Sequence, residues 1–145
     1  MKISAWVVLA SAMAASGCGK EAGRVPFAAE GKAEATMPLT AGDVSFWTDL
    51  DVDYTGDASL HYQLDLLQAG AVVASTECNP LGRMNVKTSW VETNVGDHHT
   101  RSGNGKMDCG VKLPSGGPTV VRAHLVFLKK PTRISLKKAD LAVRQ

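Results

Sequence analysis

Four aspartates lie close together in the first half of the chain, at positions 49, 51, 53 and 57. Carboxylate oxygens at this density are the ligands that a hard cation such as Ca²⁺ prefers. The segment differs from an EF-hand loop, because Tyr54 stands at the sixth position, where that loop needs glycine. Alternate carboxylates on a strand are about 6.6 to 6.8 Å apart, which is too far for all of them to bind one ion without help from a turn. Asp53 and Asp57 lie on either side of the turn at Gly56, so they are the best candidate metal ligands. The alternative is a solvated strand face without metal.

A second group of polar residues could bind a sugar. Trp47 has the same strand parity as Asp49 and Asp51, so these three side chains are expected to point away from the core together. An exposed indole beside carboxylates suits a sugar ring that stacks on the aromatic face and donates its hydroxyls to the oxygens. Arg122 and His124 point outward on a later strand and complete the site if the two strands are neighbours. The alternative is that Trp47 caps the core near the strand end or packs under the loop before Gly105.

Other candidate chemistry is weaker. Asp97, His98 and His99 are adjacent, but a transition-metal site needs further spaced ligands, and solvated loop histidines are the alternative. The chain contains no Gly-x-Ser-x-Gly motif and no recognisable pair of catalytic acids. We therefore predict a protein that is not an enzyme and uses no cofactor.

The elements that position these residues are strands. Apolar and polar residues alternate with period two, turn residues recur every eight to twelve positions, and no segment shows a helical period. Strands are predicted at residues 33–39, 44–54, 60–67, 72–77, 86–93, 106–113, 119–128 and 134–143, with a β-bulge at 137–139 and a surface loop at 94–104. Short turns between consecutive strands favour antiparallel pairing. The prediction is an all-β, two-sheet antiparallel β-sandwich, with the jelly roll as one topology.

The charges are unevenly distributed. Residues 33–82 contain eight acidic residues and no Lys or Arg, whereas residues 83–145 contain twelve Lys or Arg and four acidic residues. Opposite charges directly across two strands contribute about 0.2 to 1 kcal/mol a pair, so we expect the two halves to face one another. The expected partners of the aspartates at 49, 51 and 53 are Arg122, Arg133, Lys137 and Lys138. The alternative is a separate charged binding surface. Nucleic acid is not an expected partner, because the basic residues lack interleaved aromatics.

The N-terminus has the layout of a secretory signal. Lys2 precedes an uncharged run at residues 3–15, which is rich in Ala, Val and Leu, and the small residues Ser16 and Gly17 follow. Thirteen helical residues span roughly 20 Å, which is shorter than the hydrocarbon core of about 30 Å. We therefore predict that residues 1–17 form a cleaved signal peptide. No later stretch is apolar enough to span a membrane.

The segment Ala15-Ser16-Gly17-Cys18 resembles the lipobox of bacterial lipoproteins, in which small residues precede a cysteine that is acylated and becomes the mature N-terminus. The resemblance covers about the first twenty residues, and Ala15 stands where Leu is commonest. It implies a lipid on Cys18 and stable attachment to the membrane through several acyl chains. Gly19 stands where inner-membrane lipoproteins often carry Asp, so the resemblance favours the outer membrane, on either face. The alternative is ordinary signal cleavage that leaves Cys18 as a free thiol.

The chain has three cysteines. If Cys18 carries the lipid that the resemblance implies, Cys78 and Cys109 remain as one pair in an oxidising compartment. A disulfide between them closes a loop of about 32 residues and stabilises the fold by roughly 3 to 4 kcal/mol in the chain-entropy model. The alternative is two buried thiols.

The sequence thus predicts three segments. Residues 1–17 are the signal peptide, residues 18–30 are a flexible tether of mostly small or charged residues, and residues 31–145 are the β-sandwich domain. We expect a membrane-anchored envelope lipoprotein that acts as a non-enzymatic structural or protein-interaction module. Its expected partners are the membrane, through the N-terminal lipid, and an envelope protein or glycan. The alternative function is a β-sandwich that binds carbohydrate or another small ligand.

Overall fold

The structure, a computed structural model, describes residues 19–145. The predicted signal peptide at residues 1–17 and the predicted lipidation site Cys18 lie outside the described residues. The described part of the chain is all-β and contains no helix that could cross a membrane. Its nine strands are β1 (Glu21–Val25), β2 (Gly31–Leu39), β3 (Gly42–Thr55), β4 (Ser59–Gln68), β5 (Ala71–Cys78), β6 (Met84–Val95), β7 (His98–Leu113), β8 (Gly117–Lys129) and β9 (Arg133–Arg144).

The strands form two antiparallel sheets. The five-stranded sheet has the order β1-β9-β3-β7-β6, and the four-stranded sheet has the order β2-β8-β4-β5. If β6 is set aside, each sheet has four strands, and the chain crosses to the other sheet at every connection except the one between β4 and β5, as in a jelly roll. The structure therefore confirms the predicted two-sheet β-sandwich. It also shows that β6 is an addition to the eight-stranded roll.

The alternation of β3 explains how the core forms. Every second residue from Val44 to Tyr54 is buried, and the intervening residues are half-buried on the outer face. Leu60, Tyr62 and Leu64 of β4 are buried from the opposite sheet. Complete burial of one such aliphatic or aromatic side chain stabilises the fold by about 1.5 to 3 kcal/mol. One apolar core between the two sheets follows from these two patterns.

Two polar side chains share this core. The Tyr62 hydroxyl lies 2.8 Å from Thr48 Oγ1 and donates to the Ala139 carbonyl oxygen at 2.9 Å. Burial raises the pKa of Tyr62, so the phenol stays protonated and can donate this bond. The network joins β4 of one sheet to β3 and β9 of the other. It adjoins the predicted bulge in β9, which is confirmed by the register shift between Lys138 and Leu136.

A disulfide also joins the sheets. Cys78 at the end of β5 is bonded to Cys109 in β7, with a Cα–Cα distance of 5.5 Å. The predicted pairing of these two cysteines is confirmed. The bond fixes the edge of the four-stranded sheet to the sheet that carries β6.

The predicted flexible tether is wrong from Lys20 onward. Glu21–Val25 forms β1, which pairs with β9, and Val25 is fully buried while Phe27 is 7% exposed. Polar and small residues form a strand here because β9 supplies the hydrogen-bonding partner. The sandwich therefore begins about ten residues earlier than the predicted boundary at residue 31.

The predicted surface loop at residues 94–104 is also wrong. β6 and β7 form a hairpin with Gly96 and Asp97 at the turn, and Gly96 has a positive φ of 63°. The polar residues of this segment predict a loop when the local sequence is considered alone. Strand β3 pairs with β7 along most of its length, so these polar residues have a ladder partner that the local sequence does not reveal.

Candidate functional site

Strand β6 is the most exposed element of the described chain. It pairs with β7 on one side and has no strand on its other side among residues 19–145. Met84 is buried and Trp90 is half-buried, whereas the other ten residues are exposed. The free backbone groups of a long edge strand are a template for pairing with another chain. This edge is the candidate functional site.

The outward face of β6 carries three apolar side chains. Val86, Val91 and Val95 are 45%, 52% and 75% exposed. They lie opposite Lys106, Ser102 and His98 of β7, on the outer face of the five-stranded sheet. Edge strands are usually protected by Lys, Pro or very short length. β6 carries Lys87 and a β-bulge at residues 88–91, which protect its first half, so the poorly protected part of the edge is the segment from Val91 to Val95.

Two glycines of β7 let β6 approach closely. A β-bulge lies between Thr88 and Val91, and Ser89 within it has a positive φ of 54°. A Cβ atom on Gly103, whose φ is 125°, would collide with the Ser89 carbonyl oxygen. A Cβ atom on Gly105 would likewise collide with the Met84 sulfur. The path of β6 therefore depends on glycine at position 103, where the obstacle is backbone, whereas the flexible Met84 side chain could move away from a Cβ atom at position 105.

The inward face of β6 is held by a polar cluster. Trp90 Nε1 donates to Glu92 Oε1 at 3.1 Å, and Arg101 Nη2 lies 3.6 Å from Glu92 Oε2. Lys87 Nζ lies 5.8 Å from the Trp90 ring centroid. The Trp90 hydrogen bond, with smaller contributions from Arg101 and Lys87, holds the pKa of Glu92 below its ordinary value. These contacts hold β6 through its inward face and leave the backbone groups of its free edge accessible.

The predicted sugar-binding residues are not brought together. Trp47, Asp49 and Asp51 lie on β3 in the five-stranded sheet, whereas Arg122 and His124 lie on β8 in the four-stranded sheet. Their side chains point outward from opposite faces of the sandwich. The prediction that they form one patch is wrong, because β8 pairs with β2 and β4 rather than with β3.

Trp47 also has a partner of its own. The Arg144 guanidinium carbon lies 4.1 Å from the Trp47 ring centroid, and the indole is half-buried. One face of the ring is therefore covered by a cation. This contact removes the main support for Trp47 as a stacking platform for a sugar.

The two predicted metal ligands, Asp53 and Asp57, contact residues of different sheets. Asp53 Oδ1 accepts a hydrogen bond of 2.6 Å from Thr100 in the five-stranded sheet, whereas Asp57 lies 3.4 Å from Lys129 in the four-stranded sheet. His98 and His99 begin β7, where His98 bonds Thr55 and His99 bonds Asn94. No group of three or more His, Cys, Asp or Glu side chains within residues 19–145 is arranged to hold a metal ion.

Acidic residues of the first half face basic residues of the second half, as predicted. The pairs are Asp49–Lys138 at 3.3 Å, Glu34–Arg122 at 3.4 Å, Asp57–Lys129 at 3.4 Å and Asp43–Lys112 at 4.0 Å. The prediction that Arg122 faces the aspartates of β3 is wrong, because Arg122 faces Glu34 of β2. Cross-strand pairing therefore accounts for much of the charge asymmetry.

Sequence reasoning missed β6 as a site, although one signal could have identified the hairpin. Gly-Asp is a two-residue turn sequence, and it stands between an alternating run with Val91, Thr93 and Val95 and a second run that begins at His98. A comparison of the chain with protein-family models and with curated proteins finds no matching family and no matching protein.

Proposed function

We propose that the protein is a non-enzymatic, lipid-anchored component of the cell envelope that binds an extended segment of another protein along β6. The observation that carries this proposal is a twelve-residue edge strand with exposed valines, added outside an eight-stranded roll. Addition of a partner strand to such an edge supplies main-chain hydrogen bonds, and alternate side chains supply specificity. The anchor rests on the lipobox resemblance, and Gly19 favours the outer membrane.

The chemistry of β6 defines the partner segment. Its outer face offers Val91 and Val95, so the partner strand is expected to carry apolar residues at alternate positions. Its inner face offers Lys87 and Glu92, which favour polar or charged residues at the intervening positions. The fitting occupant is an extended, alternating apolar and polar segment of another envelope protein.

The position of β6 in the domain suits this role. Lys20 and Ser45 lie at one end of the five-stranded sheet, where β1, β3 and β9 meet. Thr55 lies at the other end of β3, opposite His98 at the β6–β7 turn. Ten residues of strand separate Ser45 from Thr55, which is about 33 Å at 3.3 Å per residue. A lipid on Cys18 would therefore hold one end of the domain at the membrane and present the β6–β7 turn away from it.

A photo-crosslinking experiment in intact cells tests the proposal. A benzoylphenylalanine residue replaces Thr93, which is exposed on the outer face of β6. The matched control replaces Val72, which is 53% exposed on β5, an edge strand of the other sheet. We expect an adduct of one defined mass from position 93 and none from position 72. The double variant Val91→Lys, Val95→Lys should abolish the adduct, and Val72→Lys should leave it unchanged.

Three outcomes would contradict the proposal. The same adducts from both edges would show non-specific contact. An adduct that persists in the double lysine variant would show that the valine face of β6 is not used. An adduct with twice the mass of the chain would assign the edge to self-association instead of another protein.

A further inference from the structure

A small depression lies on the outer face of the five-stranded sheet, far from the β6–β7 turn. Ser45 of β3 is opposite Gly110 of β7, and these two small residues form its floor. On one side of this pair, Asp43 lies opposite Lys112. On the other side, a shift in register separates it from the pair of Trp47 and Lys106. The cavity has a volume of about 530 Å³. It lies where a small pair and a β-bulge interrupt the row of long side chains.

Arg144 borders this depression and is held in place. Its guanidinium stacks on Trp47 at 4.1 Å, and its carbonyl oxygen accepts a hydrogen bond of 3.4 Å from Ser45 Oγ. The Arg144 Nε atom is buried and has no hydrogen-bond partner within residues 19–145. This Nε atom is closed to solvent, so a ligand in the depression would contact the Arg144 guanidinium through its Nη atoms.

The charge of the depression is positive. Lys106, Lys112 and Arg144 line it, and Asp43 is the acidic residue on its wall. The Asp43 and Lys112 side chains are 89% and 78% exposed and lie 4.0 Å apart, so solvent screens the charges of both, and Lys106 and Arg144 remain as the other two cations. Glu21 is a nearby acid, but its two oxygens each accept a 2.9 Å bond from Arg24. The local excess of cations favours an anion with several acceptor oxygens.

We propose that the depression binds a phosphate group, and that the phosphate belongs to the headgroup of an anionic lipid. The planar guanidinium of Arg144 matches phosphate oxygens, and the two lysines supply point charges on the other side. Arg144 precedes Gln145, whose backbone is hydrogen-bonded to that of Lys20, two residues after Cys18. The assignment of this phosphate to a lipid headgroup rests on the proposed membrane anchor, whereas the phosphate site itself does not.

Binding can be measured through Trp47 in the full-length protein purified in a non-ionic detergent. A Trp90→Phe background, with the same background carrying Trp47→Phe as the blank, isolates the emission of Trp47. One titration uses inorganic phosphate at constant ionic strength. A second adds short-chain phosphatidylglycerol to the micelles, and a third adds short-chain phosphatidylcholine.

We expect phosphate and phosphatidylglycerol to change the emission of Trp47, and phosphatidylcholine to have little effect. The double variant Lys106→Gln, Lys112→Gln should weaken both interactions about tenfold or more, because each lysine supplies a charge-assisted hydrogen bond. The control Lys129→Gln, Lys130→Gln removes two exposed lysines from the end of the sandwich opposite to Gln145 and should change binding less than about twofold.

The outcomes separate the two parts of the proposal. Binding of phosphate without phosphatidylglycerol would retain the anion site and overturn the lipid assignment. No response to either ligand, or an equal loss in both double variants, would overturn the site itself. None of these results bears on β6, so a failure here is distinguishable from a failure of the proposed interaction.

Discussion

Lys20 and Gln145 exchange two backbone hydrogen bonds: the Lys20 amide donates to the Gln145 carbonyl at 2.9 Å, and the Gln145 amide donates to the Lys20 carbonyl at 3.2 Å. The first residues of the described chain are therefore joined to the end of β9. A lipid on Cys18 would have only Gly19 between it and the folded domain. The domain would then rest on the membrane surface in one orientation instead of moving on a long tether.

Arg24 is predicted to hold β1 in place. Its guanidinium bonds Glu21 at 2.9 Å, Asp49 at 3.0 Å and Asp140 at 3.3 Å. Arg24→Gln should lower the free energy of unfolding by roughly 1.5 to 3 kcal/mol, the range for hydrogen bonds to charged groups. Denaturant unfolding measures this loss, and hydrogen exchange should show faster exchange in β1. Lys138→Gln, which removes a 47% exposed partner of Asp49, should cost less than about 1 kcal/mol. Equal effects of the two variants would refute this role of Arg24.

The disulfide should contribute a large part of the stability. Replacing Cys78 and Cys109 together with serine should lower the free energy of unfolding by roughly 3 to 4 kcal/mol, because the loop of about 32 residues is no longer closed in the unfolded chain. Urea titrations of the oxidised protein, the reduced protein and the double variant would measure the effect. The reduced protein and the double variant should agree. A loss below about 1 kcal/mol would mean that the bond constrains the unfolded state far less than this model requires.

The hydroxyl of the buried Tyr62 side chain is predicted to stabilise the folded protein. Tyr62→Phe leaves Thr48 Oγ1 and the Ala139 carbonyl oxygen without this partner in the core. The expected loss is about 1 to 3 kcal/mol, the desolvation penalty of an unsatisfied buried group. Tyr54→Phe is the matched control on β3. The Tyr54 hydroxyl has no hydrogen-bond partner within residues 19–145, so this change should cost less than about 0.5 kcal/mol, the lower limit for a lost hydrogen bond. Thermal unfolding of both variants would measure the difference, and similar midpoints would argue against the network.

Glu30 should make stability depend on pH under acidic conditions. Its Oε2 atom accepts a 2.9 Å hydrogen bond from the Phe127 amide, and this bond, helped by Lys130, holds the pKa of Glu30 below its ordinary value of 4.5. The stabilisation is fully present above about pH 4.5 and is lost as the pH falls through the lower pKa of the folded state. Thermal midpoints of the native protein and of Glu30→Gln should therefore differ most near pH 7 and converge near pH 3.

Glu34→Gln controls for the removal of an exposed carboxylate. Glu34 bonds Arg122 through their side chains, and its side chain is 57% exposed. If the difference between the native protein and Glu30→Gln were the same at pH 7 and pH 3, the backbone hydrogen bond would not be the source of the stabilisation.

The strands that bury one face were predictable from their residues. In β3, Phe46, Leu50 and Val52 alternate with polar residues. The residues that this alternation predicts to face the core are the ones that are buried. In β6 after Met84, and in β7 from His98 to Asn104, polar or small residues occupy both faces, and none of these residues is fully buried. Local sequence carries little hydrophobic signal there. The Gly96–Asp97 turn was the remaining signal of a hairpin.

Neighbour relationships between distant strands were not predictable. Trp47 and Arg122 both point outward, and parity alone does not assign them to different sheets. Likewise, Glu21 pairs with Arg144 at the other end of the described chain, so no local pattern marks β1 as a strand. Period two predicts which face a residue occupies, whereas topology decides which residues share a site.

Hydrogen exchange of β6 in two settings tests the central claim most directly. The full-length protein would be compared in native membranes and after purification in detergent, with β5, the edge strand of the other sheet, as the internal reference. If a partner strand occupies β6 in the envelope, the amides of residues 86–95 that point to the free edge should exchange at least about tenfold more slowly in the membranes, because they are then hydrogen-bonded. The exchange of β5 should be the same in both settings. Equal exchange of β6 in membranes and in detergent would contradict the proposed interaction.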